Sequence, residues 1–328
     1  MEAPPETLKI AQLIKDMRIR GAGRIARAAA YSLKLAALRF KGGSLEDFNV
    51  YMSAVAEIIG STRPTAVSLH NALRYVLNRV RKAQNVHEAI QFAINAADLF
   101  IGLSLNSVKL IGEIGSKLIE DGDTVLTHCN SAAALSVLKT AHKAGKHINV
   151  YATETRPKFQ GLISYRELER AGIPTTLIPD SSVRFFMKDV DKVVVGADTV
   201  TANGAVVNKV GTSQIALAAY EASVRVYIAT ETYKFSPATI LGEPVIIEER
   251  EGEEIVPKTL IFSRPNLKVR NPAFDVTPPD YIDAIITEQG IIPPKAASLI
   301  LLEDYGATLA EELANITLDL EDVAYLTF

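Results

Sequence analysis

The sequence predicts an α/β protein in which an N-terminal helical domain, residues 1–120, precedes a Rossmann-like, doubly wound parallel-sheet domain, residues 121–328. Two observations carry this. From Thr7 to about Glu120 the apolar residues recur every three or four positions with almost no β-branched run between them, the period of helices that bury one face. At Asp121-Gly122-Asp123 the pattern changes. Short apolar segments bounded by turn residues then alternate with helix-length stretches, as in a parallel sheet covered on both faces.

The elements follow in order. The alanine-rich stretch GAGRIARAAAYSLKLAALRF has helical periodicity from Ile25 onward. Gly42-Gly43 interrupts it, and Ser44 has the character of an N-cap for the next helix. Thr62-Arg63-Pro64 is the next break, and Val86 to Leu105 supports a long helix with an apolar face. Strands are expected over Thr124–Thr127, Ile148–Ala152, Thr175–Ile178, Lys192–Val195 and Arg225–Ala229, with helices over stretches such as Ser131–Lys143 and Ser164–Ala171. Asn203-Gly204 marks a hairpin turn. No GxGxxG follows the first strand, which counts against a dinucleotide cofactor.

Composition narrows the class. The 328 residues are 48% hydrophobic, 22% charged and 7% aromatic, which excludes a disordered or low-complexity chain. A single cysteine, Cys129, excludes a disulfide framework and a CxxC zinc site, and a reducing, cytoplasmic home is expected. No 18-residue apolar run occurs and MEAPPETLKI lacks the features of a signal peptide, so no membrane association is expected. A net charge of −3 does not suggest nucleic acid. Residues 1–120 nevertheless carry 16 Lys and Arg against 10 Asp and Glu, an excess that helps hold an anionic small molecule or merely solvates helix faces.

In open α/β sheets, ligands lie beyond the carboxyl ends of the strands. The residues there are polar: His128-Cys129-Asn130-Ser131, Thr153 to Pro157, Gly196 to Thr199, and Thr230 to Lys234. Cys129 is expected at a strand-to-helix junction, where a helix N-terminus lowers a thiol's pKa and makes it a base or nucleophile; the alternative is a buried structural cysteine. Asp198, after the fourth strand, is a candidate acid or base, or else a cap or an arginine's partner. Asn208 and Lys209 precede a Gly-Thr helix start whose free N–H groups suit a phosphate, with Lys209 as its counter-charge or as a solvated lysine. Arg20-Gly21-Ala22-Gly23 and Arg63 set arginine beside flexible or rigid backbone, which suits anions. His70, His87, His142 and His147 show no metal spacing, so no metal is expected.

The ordered set IRGAG (19–23), STRPTAVSLHNAL (61–73), LTHCNS (126–131), TETRPKFQG (153–161), VVGADTV (194–200) and NGAVVNKVGT (203–212) resembles one family. It contains methylthioribose-1-phosphate isomerase, ribose-1,5-bisphosphate isomerase and the alpha, beta and delta regulatory subunits of the translation initiation exchange factor. The resemblance implies a catalytic pair, Cys129 as proton acceptor and Asp198 as proton donor, which the regulatory subunits do not retain. It implies substrate contacts from Arg20, Gly21, Ala22, Gly23, Arg63, Ser131, Ala132, Ala133, Asn208, Lys209 and Lys234. Three departures from the methylthioribose-1-phosphate pattern, at Gly23, Ser131-Ala132 and Thr199, point toward the archaeal bisphosphate isomerases.

The resemblance therefore implies conversion of ribose 1,5-bisphosphate to ribulose 1,5-bisphosphate in nucleoside monophosphate degradation. It implies no cofactor, AMP as a candidate activator, a sugar bisphosphate as the small-molecule partner, and a homo-oligomer, a dimer-based hexamer. The alternatives are methylthioribose-1-phosphate isomerisation and a non-catalytic regulatory subunit that senses a nucleotide or sugar phosphate. The apolar segment Ala296–Leu302 is expected in the core rather than at an interface.

Overall fold

A computed structural model describes residues 2–303; residues 304–328, the end of the expected second domain, lie outside the described residues. The chain opens with five helices, α1 (Pro5–Lys15), α2 (Ala22–Arg39), α3 (Leu45–Gly60), α4 (Val67–Val80) and α5 (Val86–Gly115). Ser44 caps α3, its Oγ accepting the Asp47 N–H at 3.0 Å. Helix α2 is central because one face is nearly all alanine: Ala26, Ala29, Ala30, Ala36 and Ala37 are buried with Leu33. Small side chains let α3, α4 and α5 approach it closely.

Helix α5 runs ten residues beyond the Leu105 read from the sequence. Together with its terminal turn, Val86–Leu118, it is long and apolar enough to cross a membrane by length and composition, the only such helix among the described residues. Its buried stripe of Ala89, Ala93, Ala96, Ala97 and Phe100 packs on α2 and α4, and its C-terminal half lies against α6 (Ala132–Lys143). That stripe accounts for part of the apolarity as helix packing, while Leu99, Leu103 and Leu105 remain exposed.

The first strand, β1 (Thr124–Thr127), begins a seven-stranded sheet with β2 (Asn149–Thr153), β3 (Thr175–Ile178), β4 (Lys192–Gly196), β7 (Arg225–Ala229), β9 (Ala284–Thr287) and β10 (Gly290–Ile292). The order is β10-β9-β7-β4-β1-β2-β3; every pair is parallel except the β9–β10 edge hairpin. The order reverses between β1 and β4, which makes that point the sheet's ligand crevice. Alternation along the strands separates two cores. Leu126, Val193, Val195, Val226, Ile228 and Ile285 face one side, while Val125, Val194, Tyr227, Ala229 and Ile286 face the other. The first side is covered by α8 (Val183–Phe186) and α9 (Thr212–Glu221), the second by α5, α6 and α7 (Gly161–Arg170). All five expected strands form, to within a residue at either end.

A second sheet was not legible in the sequence. The antiparallel strands β5 (Thr199–Val200), β6 (Val206–Lys209) and β8 (Phe274–Thr277) form it. The Asn203-Gly204 turn joins β5 to β6, with Gly204 at φ +84°, as the tight turn requires. Residues 242–272, which include a short helix α10 (Lys258–Ser263), leave the sheet and return into β8. Of the segment Ala296–Leu302, Ala297, Ile300 and Leu301 are buried and Leu299 and Leu302 exposed, so it contributes one face to the core.

Candidate active site

Three strand ends are tied together at the crevice. Cys129, directly after β1 and His128, sits at φ +64°, and Thr155, after β2, at φ +62°. Left-handed backbone is costly for such residues and persists where surrounding bonds fix it. The bonds are present: the Cys129 N–H donates to Thr155 Oγ1 at 2.9 Å, and Ser164 Oγ donates to the Cys129 carbonyl at 2.6 Å. Asp180, after β3, accepts the N–H groups of Thr155 and Arg156 at 2.8 and 2.7 Å.

His128, fully buried, fixes a fourth segment. Its Nε2 lies 3.1 Å from the Val210 carbonyl and its Nδ1 2.6 Å from Thr153 Oγ1. A carbonyl only accepts, so the proton is on Nε2 and the Thr153 hydroxyl donates to Nδ1. Burial holds the ring neutral, with its pKa down at about 4. Nothing in the sequence set His128 apart from its neighbours as this link.

The structure corrects the expectation for Cys129. The helix after it starts at Ala132 with Ser131 as N-cap, its Oγ accepting from Ala134, so the thiol precedes the helix rather than standing on its N-terminus. Burial pushes the thiol up to about 11, with Asp198 and Asp180 adding to the rise and Lys209 opposing it. That shift favours the thiol over the thiolate. Ala132 and Ala133 form the first turn of α6, beside Cys129.

Asp198 follows β4, is half-buried, and is held by its own N–H bond to the Val207 carbonyl at 2.9 Å. Asn208 and Lys209 end β6, both buried; Asn208 Nδ2 donates to Thr212 Oγ1 at 3.0 Å. Lys209 Nζ donates to the Ala273 carbonyl at 2.6 Å and lies 4.5 Å from the centre of the Phe274 ring. It is therefore no solvated lysine. Burial lowers its pKa; Arg250 lowers it further while Cys129, Asp198 and Glu248 counter the drop, which places all five groups in one electrostatic neighbourhood.

The helix start after Lys209 is a second correction. Asp275 Oδ2 already accepts the N–H groups of Gly211 and Ser213, at 2.7 and 3.1 Å, so those donors are not free for a phosphate. Burial raises Asp275 to about 6, and its Oδ1 has no partner.

Lys234 and Arg63 are likewise engaged. Lys234 is buried, paired with Glu231 at 2.6 Å and donating to the Ala197 carbonyl at 3.0 Å, which sets it beside Asp198 with one N–H left over. Arg63 Nη2 meets Glu248 Oε2 at 2.7 Å. Gly21 precedes α2 at φ +88°, and a Cβ on Gly23 would stand 3.0 Å from Tyr233 Oη and 3.5 Å from Glu231 Oε1. That close approach sets Gly23 against the segment carrying Lys234, while Arg20 is exposed. Among the described residues no cluster of His, Cys, Asp and Glu has the form of a metal site.

The family model described as "Initiation factor 2 subunit family" matches residues 18–294. The chain belongs to the initiation factor 2 subunit family. Within it, proteins named ribose 1,5-bisphosphate isomerase from Thermococcus kodakarensis and Archaeoglobus fulgidus are each 52% identical over 314 residues. These matches cover 94% and 96% of this chain and 98% of each relative. A family member named methylthioribose-1-phosphate isomerase from Acetivibrio thermocellus is 40% identical, over 88% of both chains. Among solved structures of the family, the Pyrococcus horikoshii translation initiation factor eIF-2B superposes with a TM-score of 0.77 at 32% identity, covering 89% of this chain and 98% of its own.

Proposed function

We propose that this protein isomerises ribose 1,5-bisphosphate to ribulose 1,5-bisphosphate. The observation that carries the reading is the convergence of the Cys129 thiol, the Asp198 carboxyl and the Lys209 ammonium at the point where the sheet order reverses. The relatives named for this activity, at 52% identity against 40% for the methylthioribose-1-phosphate relative, support the choice of substrate.

The phosphate on carbon 1 blocks spontaneous ring opening. The Cys129 thiol first gives its proton to the Asp198 carboxylate; Asp198, now an acid, protonates the ring oxygen as the bond to carbon 1 breaks. Cys129 thiolate takes the proton from carbon 2, leaving an enol between carbons 1 and 2. Cys129 returns that proton to carbon 1, the carbon-2 hydroxyl gives its proton to Asp198, and ketone and acid are restored. The two groups assist each other. An ionised Asp198 opposes the thiolate, so the acid form of Asp198 and the base form of Cys129 favour one another, and Lys209 favours the thiolate throughout. Arg20 to Gly23, Arg63, Ser131 to Ala133, Asn208, Lys209 and Lys234 hold the phosphates and hydroxyls.

The steps use side chains alone, without a metal or redox cofactor. The reading extends to a cytoplasmic enzyme of nucleoside monophosphate degradation with AMP as activator. It also extends to a dimer-based hexamer, for which exposed Leu99, Leu103 and Leu105 of α5 supply apolar surface. Turnover of purified protein on ribose 1,5-bisphosphate and on methylthioribose 1-phosphate tests it: the bisphosphate is the better substrate by kcat/KM. Preference for the thioether sugar overturns the substrate assignment, and binding of both without turnover overturns catalysis.

A further inference from the structure

Two guanidinium groups converge on one carboxylate beside the proposed catalytic pair. Arg63, between α3 and α4, places Nη2 2.7 Å from Glu248 Oε2, and Arg250 places Nε 3.1 Å from Glu248 Oε1. The two arginine side chains are 13% and 12% exposed and that of Glu248 is 24% exposed, so the carboxylate is the most accessible member. Met17 Sδ approaches both cations, at 3.0 and 3.9 Å, and closes the cluster from the N-terminal helices.

The cluster is wired to the site by backbone. The Glu248 carbonyl accepts the Ala273 N–H at 2.8 Å, and the Ala273 carbonyl accepts Lys209 Nζ at 2.6 Å. Arg250 and Glu248 are also among the groups that move the pKa of Lys209, in opposite directions. Sequence reading marked Arg63 and Lys209 as anion-binding and passed over Arg250, which lies in an irregular segment with no local motif.

We propose that Arg250 is a phosphate-binding residue acting with Arg63, and that the Glu248 carboxylate between them is displaced by a phosphate of the substrate. The proposal deepens the reading of a sugar bisphosphate substrate and rests on it for the ligand's identity. A carboxylate offers one negative charge and two oxygens to two guanidiniums. A phosphate monoester offers close to two charges and three terminal oxygens, and arginine forks pair with it bidentately. Two guanidiniums face one resident carboxylate, so exchange for a dianion better neutralises the pair.

The test measures KM for ribose 1,5-bisphosphate and, by calorimetry, the affinity of unligated protein for inorganic phosphate, in wild type, Arg250→Ala, Arg250→Lys and Glu248→Gln. Losing a charge-assisted pair should raise KM about 10- to 100-fold in Arg250→Ala and weaken phosphate correspondingly, with kcat changed far less. Arg250→Lys recovers part of this loss and keeps the measurement open if the alanine variant does not fold. Glu248→Gln removes the competing charge, so both ligands bind more tightly, although an ion pair is lost. The proposal is overturned if Arg250→Ala and Arg250→Lys leave both affinities within twofold, or if Glu248→Gln weakens them. The phosphate arm is independent of turnover: tighter phosphate binding by Glu248→Gln in a protein inactive on the bisphosphate would sink the proposed reaction and keep the anion exchange.

Discussion

At the scale of single residues, Cys129 is where burial and proximity contend. Burial and two carboxylates hold the thiol at about 11, against an ordinary value near 8.5, while Lys209 and the Asn130 backbone N–H pull the other way. Alkylation of Cys129 by iodoacetamide should therefore be slow at pH 7.5 and rise with pH well beyond the range of an exposed cysteine. Asp198→Asn removes one of the charges that raise the thiol, so its alkylation at pH 7.5 should be faster than in wild type. The same variant lacks the ring-opening acid and should lose about 10²- to 10⁴-fold in turnover. Opposite changes in thiol reactivity and catalysis are the signature; a variant both less reactive and fully active would break the assignment. The sequence marked Cys129 and Asp198 because chemistry-bearing residues at strand ends stand out against apolar strands. It could not show the thiol's protonation, since that depends on Asp180, Asp198 and Lys209, which come from three other segments of the chain. The Glu248 partner of Arg63 and the Ala197 contact of Lys234 were hidden for the same reason.

At the scale of elements, regularity decided what could be read. The five strands expected from the sequence are short, largely apolar runs bounded by turn residues, and Ser44 caps as its type suggests. The second sheet escaped because β5 is two residues long and β8, Phe-Asp-Val-Thr, is half polar and lies far along the chain from β6. Its pairing nevertheless sets the site, because it delivers Asp275 to the start of α9. There the expected phosphate donors are satisfied by a carboxylate whose burial costs more than its two bonds return. The folded-state pKa of Asp275, about 6, lies above the unfolded value, so the folded protein holds this proton the more tightly. Its contribution favours folding at low pH and is lost as pH rises through about 6. Asp275→Asn keeps an acceptor for the N–H groups of Gly211 and Ser213 and removes the charge. Thermal unfolding at pH 7.5 should find it at least as stable as wild type, by up to about 3 kcal/mol, with the advantage shrinking toward pH 5. A variant clearly less stable at pH 7.5 would mean that the charge itself holds the helix start.

At the scale of the whole molecule, the helical layer and the sheet are joined through the segment after β7. Tyr233 leaves the sheet edge to pack in the helical core, its ring 5.3 Å from that of Phe100 and its hydroxyl 2.9 Å from Ser104 Oγ. Buried Asn71 of α4 donates from Nδ2 to the carbonyls of Tyr233 and Phe235, at 3.0 and 2.8 Å. Between those carbonyls stands Lys234, against the carbonyl of Ala197 and next to Asp198. One amide group thus serves both the docking of the two layers and the position of a proposed substrate ligand. Asn71→Ala strands two buried carbonyls, each a loss of about 1–3 kcal/mol when no water replaces the donor. The thermal midpoint should fall by several degrees, and KM for the bisphosphate should rise more than kcat falls, because the lysine moves while Cys129 and Asp198, anchored in the sheet, do not. Asn71→Asp retains the shape but turns a donor into an acceptor facing two carbonyls, and should be worse on both counts. If Asn71→Ala lost stability with an unchanged KM, the bond would be structural alone, and the helical layer would act on catalysis only through Arg20 to Gly23 and Arg63.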